Sequence, residues 1–482
     1  MKKHSPFRPA ALVAILLSAG LLGACGSLVQ TPYTTPRTAI PATWAHDDNR
    51  AEVDGGKWWR HFGDANLDRL IDEALRRNND LAAATIKVRR AQLQAGIAAD
   101  ERLPALSSNT STTYNRYLRN DRSSYKNSST AVTLSYEADL WGKLGSQYDA
   151  KKWEALATEQ DRESTALTLI GTTANLYWKT AYLNQRVALS LESIAYAEKT
   201  LALIRTQYQS GAVSSLEVLE AEQNLATQQS THTELLQQQV ETANALALLF
   251  DGPPGKSYPA PQRLPEQALP RLQSGLPADL LGRRPDLRAA ELRLRESLAT
   301  VDYTRASYYP SLTLTAAAGG SSQDLRNVLL NPIGTLGAGL VLPFLQWNQM
   351  QLNIKSSQAD YENAVVSFRQ TLYTALADVE NALSAREQYA TQGALLEKNL
   401  KAAQTTERLY ELRYRTGYVA LKDWLDAQEK RRTAEVSLTQ NRLNRLNNQM
   451  TLYQALGGDM QDENHAAMSP QDTQDTLQDG RD

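Results

Sequence analysis

The sequence of 482 residues predicts a mainly α-helical fold with a β-barrel portion, made from one strand-hairpin and long-helix unit used twice. The first observation is a duplication at a constant offset of 206 residues. Asn79-Asp80-Leu81 returns as Pro285-Asp286-Leu287, and Leu103-Pro104-Ala105-Leu106 as Tyr309-Pro310-Ser311-Leu312. Tyr208-Gln209-Ser210-Gly211 returns as Tyr414-Arg415-Thr416-Gly417. These positions read as a helix start, a helix-to-strand break and a helix-turn-helix tip, so a unit that cannot bury its surfaces alone is present in tandem. The second observation is two proline-free helical stretches of more than sixty residues, each on the order of 95 Å long. The third is a set of four short segments with a period of two, which marks strands with one apolar and one polar face.

Lys2, Lys3 and Arg8 precede the apolar run 11–22, which ends in Leu22-Gly23-Ala24-Cys25. A basic start, a run too short to span a membrane and small residues before a cut read as a secretory signal over 1–24. The Leu-Gly-Ala-Cys ending resembles a bacterial lipobox. That resemblance implies cleavage before Cys25 and acylation there, and Gly26 in place of Asp implies sorting to the outer membrane; an ordinary signal with a chance cysteine is the other reading. Cys25 is the only cysteine, so no intramolecular disulfide is expected despite an oxidising compartment. Loss of 1–24 takes the basic count from 51 to 48 against 53 acidic residues, a net charge of −5. That balance argues against nucleic acid, which needs a basic patch. Residues 25–56 follow as a lipid-anchored extended segment rich in Pro, Thr and Asp.

The first repeat is expected over 57–265, with helices, two strands within about 105–140 and a long helical hairpin over about 142–250. Ile170, Ala174, Tyr177 and Ala181, then Leu201, Ile204 and Tyr208, recur at helical spacing. A helix this long needs equally long partners in coiled-coil fashion. The second repeat is expected over 266–460, with strands within about 311–345 and a hairpin over about 347–456. Gly211 and Gly417 end the long helices, as glycine takes the left-handed conformation beyond a helix terminus at low cost. Residues 461–482 are polar and acidic and read as a disordered tail.

Among the strands, Val132, Leu134, Tyr136, Ala138 and Leu140 alternate with Thr133, Ser135, Glu137 and Asp139. Leu312, Leu314, Ala316 and Ala318 form a second series, and Leu336, Ala338, Leu340, Leu342 and Phe344 a third; a weaker segment lies between Leu106 and Leu118. Such alternation fits transmembrane barrel strands, and also fits soluble hairpins laid on the helices. Four strands cannot close a barrel, for which about eight is the minimum, and open edges cannot sit in lipid. In the membrane the chain would therefore have to oligomerise, two copies giving eight strands and three giving twelve.

Asp423 and Asp426 stand just past Gly417, and their spacing of three places both carboxylates on one helix face. On a threefold axis they would stack as two rings of like charge; away from one they are a solvated face. Trp58 and Trp59 are candidates to anchor at a membrane interface or, the favoured reading, to pack the N-terminal segment onto the helices. His4, His46, His61, His232 and His465 show no metal-ligand spacing, and the five methionines do not cluster. No nucleophile elbow, zinc-protease, phosphate-loop or dinucleotide motif is present, so neither an enzyme nor a cofactor is expected.

Trp58-Trp59, Phe62, Asp64, Leu67, Leu70, Ala74-Leu75, Asn78 and Asp80-Leu81, then Leu281, Arg284-Pro285-Asp286 and Ala290-Glu291, resemble signatures of one family. Tyr309-Pro310-Ser311-Leu312, Leu342-Pro343-Phe344 and Leu456-Gly457-Gly458 fit as well. The chain resembles the lipoprotein branch of the TolC-like outer-membrane efflux ducts of Gram-negative bacteria, the outer membrane factor of tripartite efflux systems. The resemblance implies a homotrimer with a 12-stranded outer-membrane β-barrel continued by a periplasmic α-helical barrel. It implies a passive, water-filled duct exporting drugs or other toxic small molecules, and outer-membrane lipid as surroundings. Its implied partners are a periplasmic adaptor and an inner-membrane pump, usually proton-driven. It makes Asp423 and Asp426 the periplasmic gate. It makes Tyr414, bonded to an acidic residue at Glu217, part of a latch, with Glu220 as the first-repeat counterpart of Asp426. It makes the tips at Gly211 and Gly417 the adaptor contacts. Val419 stands where the best-known member has an arginine, so a salt-bridge latch from that position is not expected. The alternatives are the same duct serving type I protein secretion, and a lipid-anchored coiled-coil protein without a pore.

Overall fold

The computed structural model describes residues 30–46, 57–116, 124–256, 258–270, 272, 275, 277–330 and 332–458. The readings of 1–24, Cys25 and 461–482 lie outside the described residues.

The first repeat runs α1 (Ala65–Arg77), α2 (Asn79–Asp100), β1 (Ala105–Arg116), β2 (Ser124–Ala138), α3 (Lys143–Gln209) and α4 (Ser215–Leu249). The second runs α5 (Leu280–Arg283), α6 (Pro285–Ala306), β3 (Ser311–Ser322), β4 (Ile333–Val341), α7 (Trp347–Arg415) and α8 (Leu421–Ala455). The duplication is accurate to the residue: α2 and α6, β1 and β3, and α4 and α8 begin and end 206 residues apart, as in 100 and 306, 116 and 322, 249 and 455. The long helices α3 and α7 have 67 and 69 residues and end at 209 and 415, again 206 apart. The repeats differ most at α1, which has 13 residues against four in α5. Pro277 falls within the corresponding stretch, 271–283, and Pro270 just before it, and proline cannot sit in a helix interior.

Local chemistry explains the boundaries. Asp64 caps α1, its carboxylate accepting the backbone N–H groups of Asn66 and Leu67. Pro285 opens α6, where its missing N–H costs nothing. Gly211 and Gly417 have φ of 75° and 77°. At each tip the next residue's N–H reaches back over the last turn, Ala212 to Gln207 O (2.8 Å) and Tyr418 to Arg413 O (2.9 Å). These close the orphan carbonyls of α3 and α7 in the same way twice.

The chain divides into two compact units. One comprises the described parts of 30–38, 86–160 and 288–371 and carries the sheet; the other comprises those of 39–85, 161–287 and 372–458. The sheet is antiparallel in the order β1-β2-β3-β4. Directly opposed residues lie on one face, and the register puts Leu106, Leu134, Ala316 and Leu336 in a single row. Leu314 and Ala338 stand beside Tyr136, and Leu312 and Leu340 beside Ala138, on that same face. The other face carries Ser107, Thr133, Ser135, Thr313 and Thr315. The apolar face is bare in the single chain, with Leu336 87% and Leu106 72% exposed. The outer edges of β1 and β4 have no strand beside them among the described residues. Leu140, Leu342 and Phe344, expected in strands, lie beyond them. β2 ends at Ala138, and Pro343 begins a 3-10 turn because it cannot supply a ladder N–H.

In the second unit the core gathers Trp58, Ile71, Ile170, Tyr177, Trp178, Leu183 and Met450, all at most 1% exposed. Trp58 stacks on Tyr453 with ring centroids 4.6 Å apart, and Trp59 meets Trp58 edge-on. The Trp58-Trp59 pair is thus packing, as expected.

Candidate functional site

The second hairpin turns at Gly417 and re-enters a helix at Leu421. Leu421, Trp424, Ala427 and Gln428 form the buried face of this first stretch of α8. Leu421 and Trp424 pack with Leu201, Ile204 and Ala221 from α3 and α4. Trp424 stacks on Tyr414 at 5.3 Å and receives Tyr196 edge-on at 6.3 Å. With that side committed, Asp423 and Asp426 both point to the exposed side. Neither carboxylate has an ion-pair or hydrogen-bond partner among the described residues. The structure therefore brings the two predicted gate residues together.

The expected latch is arranged differently. The hydroxyl of Tyr414 donates to Gln207 Oε1 at 2.8 Å rather than to Glu217. Glu217 is engaged in its own helix start. It accepts the Ser214 N–H at 3.1 Å and the Ser214 hydroxyl, while Ser214 Oγ accepts the N–H of Leu216 at 3.2 Å. This reciprocal capping box holds Glu217 below its usual acidity range, the Ser214 hydroxyl being the main cause. Burial pushes the Tyr414 hydroxyl up, and the negative charge of Glu217 adds to that, so the two groups sense each other without bonding. Glu220 is half-buried and without a polar partner among the described residues.

The two repeats diverge here. Ser214 corresponds to Ala420, which gives α8 no side-chain cap. Asp423, the counterpart of Glu217, has nothing to grip and remains free.

Sequence reasoning missed the polar groups behind the aromatic cluster. Arg431 of α8 bonds Glu407 of α7 at 2.6 Å and Glu435 at 2.8 Å. Burial pushes the Glu407 carboxyl up, and Arg431 pulls it partly back. Glu411 accepts from Arg415 at 2.7 Å and from Tyr196 at 3.4 Å. The spacing of four in Glu411–Arg415 and Arg431–Glu435 is visible in the sequence; the cross-helix Glu407–Arg431 pair is not. Gln428 is 1% exposed and neither its oxygen nor its nitrogen has a partner among the described residues; the same holds for Trp424 Nε1. Among the described residues no group of three or more His, Cys, Asp or Glu could hold a metal ion. No described helix is long and apolar enough to cross a membrane.

A family model described as outer membrane efflux protein matches residues 70–251 and 276–458, one stretch in each repeat. The pyoverdine export outer membrane protein OpmQ of Pseudomonas putida is 32% identical over 450 residues, covering 90% of this chain and 96% of that protein. The outer-membrane channel OprN is similar in fold, with a TM-score of 0.82 at 24% identity over 90% of this chain and 99% of that one. The open state of the Neisseria gonorrhoeae MtrE outer membrane channel gives a TM-score of 0.75 at 28% identity, over 89% and 98%.

Proposed function

The chain belongs to the outer membrane efflux protein family and is an outer-membrane efflux channel, and from that premise we propose that it is the passive duct of a tripartite pump, closed at its periplasmic end by Asp423 and Asp426. Three chains around one axis supply two rings of three carboxylates at the start of α8. The observation that supports this most is the pair of exposed, unpartnered carboxylates beside a helix start that lacks a cap. Like charges at a constriction repel, so the aromatic cluster of Tyr414, Trp424 and Tyr196 and the Tyr414–Gln207 bond are what hold it shut. An adaptor touching the tips at Gly211 and Gly417 and an inner-membrane pump, proton-driven, release that hold. The cargo is drugs or other toxic small molecules, and acylated Cys25 supplies a second attachment to the membrane. The duct performs no chemistry of its own.

Single-channel conductance in planar bilayers tests the gate. The wild type is expected to show a small resting conductance, and the double variant Asp423→Ala/Asp426→Ala a larger one. An unchanged conductance in the variant removes both residues from the gate. A folded, lipidated protein with no channel at all supports the lipid-anchored coiled-coil alternative instead.

A further inference from the structure

The register of the sheet carries a vertical order of residues on its apolar face. Nearest the helices are Ala138, Leu312 and Leu340, followed by Leu106, Leu134 and Leu336. Further along come hydroxyl pairs, Thr110 with Thr130 at 2.8 Å and Thr112 with Ser128 at 3.1 Å, which satisfy one another. Beyond them the same face carries Tyr114 opposite Lys126 and then Arg116 opposite Ser124. β3 accompanies β2 only as far as Ser128, so these last rows form a two-stranded ribbon beyond the sheet.

Ten residues of strand separate Ala138 from Ser128, about 34 Å along the chain. At a tilt of about 40° that is about 26 Å of height, close to the apolar band of an outer-membrane barrel. At the helical end Trp141 stacks on Tyr309, centroids 5.0 Å apart, and donates to Pro310 O at 2.8 Å. Tyr114 sits at the other end of the band, 64% exposed. Aromatic residues at both limits are the girdles that mark membrane interfaces. Lys126 and Arg116 then stand at headgroup height. Both are exposed, and neither has a partner among the described residues. The opposite face of the ribbon, Thr113, Asn115, Tyr125 and Asn127, carries no charge. Among the described residues of the ribbon the positive charge thus lies on the membrane side, where it serves the surroundings of the barrel and not its cargo.

We propose that Arg116 and Lys126, beside Tyr114, form a site on each subunit for the phosphate groups of an outer-leaflet glycolipid. The proposal rests on the chain being a barrel in the outer membrane. A guanidinium offers paired donors to a phosphate and an ammonium a compact point charge. Neighbouring rows on one strand face lie within reach of one such headgroup.

The test uses the detergent-purified trimer, with bis-phosphorylated lipid A and its enzymatically dephosphorylated form as probes. Native mass spectrometry reads the lipid retained per trimer across a titration. Two basic residues at a charged membrane surface predict about thirtyfold weaker retention of the phosphorylated probe by Arg116→Ser/Lys126→Ser. Arg116→Lys is expected to recover most of it, and the dephosphorylated probe to bind wild type and double variant alike. Retention within twofold between wild type and double variant overturns the site, as does a dephosphorylated probe held as well as the phosphorylated one. Failure of the wild type to enter lipid nanodiscs overturns the barrel reading itself, separately from the site.

Discussion

At the scale of single residues, Gln428 is a polar side chain that folding buries without a partner among the described residues. Its amide is buried in the wall that holds α8 and bonds to nothing among the described residues. A buried polar group left unsatisfied costs about 1–3 kcal/mol, whereas an apolar group of similar shape costs none of that. Gln428→Leu is therefore expected to stabilise the resting hairpin by about 1–2 kcal/mol. The variant should raise the midpoint of thermal unfolding and lower the frequency of spontaneous channel openings. A lower midpoint would mean that the amide has a partner in the assembled trimer and is not a cost there. The sequence marks Asp423 and Asp426, because spacing along a helix fixes which face two side chains share. It does not mark Gln428 or the Glu407–Arg431 bond, because those depend on which helix lies across from which. Tyr414 shows the same limit. Its position is legible, but its hydroxyl donates to Gln207, while Glu217 serves its own helix start.

At the scale of elements, the duplication makes each repeat a control for the other. Helices, strands and turns repeat at one offset because period, glycine and proline positions repeat, and all of these are readable from composition and spacing. Strand ends were less readable: apolar alternation runs on through Leu342 and Phe344, but Pro343 stops the ladder. The starts of α4 and α8 differ at several positions, and the one that decides the cap is Ser214 against Ala420. Ser214→Ala should cost α4 about 1 kcal/mol of end stability and make its tip behave like the second one. Glu217 adds a pH dependence with a definite sign. Its carboxyl is held below the free value of 4.5, so its contribution is present above that value and is lost as pH falls through the lowered one. Hydrogen exchange of the Ser214 amide, whose N–H the Glu217 carboxylate accepts, checks this. Glu217→Gln should exchange faster than wild type at neutral pH, with the ratio falling towards one in acid. A ratio that does not change with pH would mean that the carboxylate is not what protects this end.

At the scale of the whole molecule, the two kinds of surface demand different things of assembly. The core around Trp58, Ile71, Tyr177 and Met450 is complete within one chain. The sheet is not: its apolar face is bare, and β1 and β4 each present an open edge. Unpaired backbone groups cannot remain in lipid, and a bare apolar edge in water invites aggregation. Channels of this family are trimeric, and three chains close these edges into twelve strands. Heating the trimer in detergent should therefore remove the β-sheet band of the infrared amide I spectrum together with trimer mass, while far-ultraviolet helical dichroism persists to higher temperature. Loss of helix, sheet and trimer in one step would show that the helical core, too, is held by its neighbours. Survival of the sheet band in isolated monomers would mean that the edges are covered within the chain, and the argument from open edges to a shared barrel would fail.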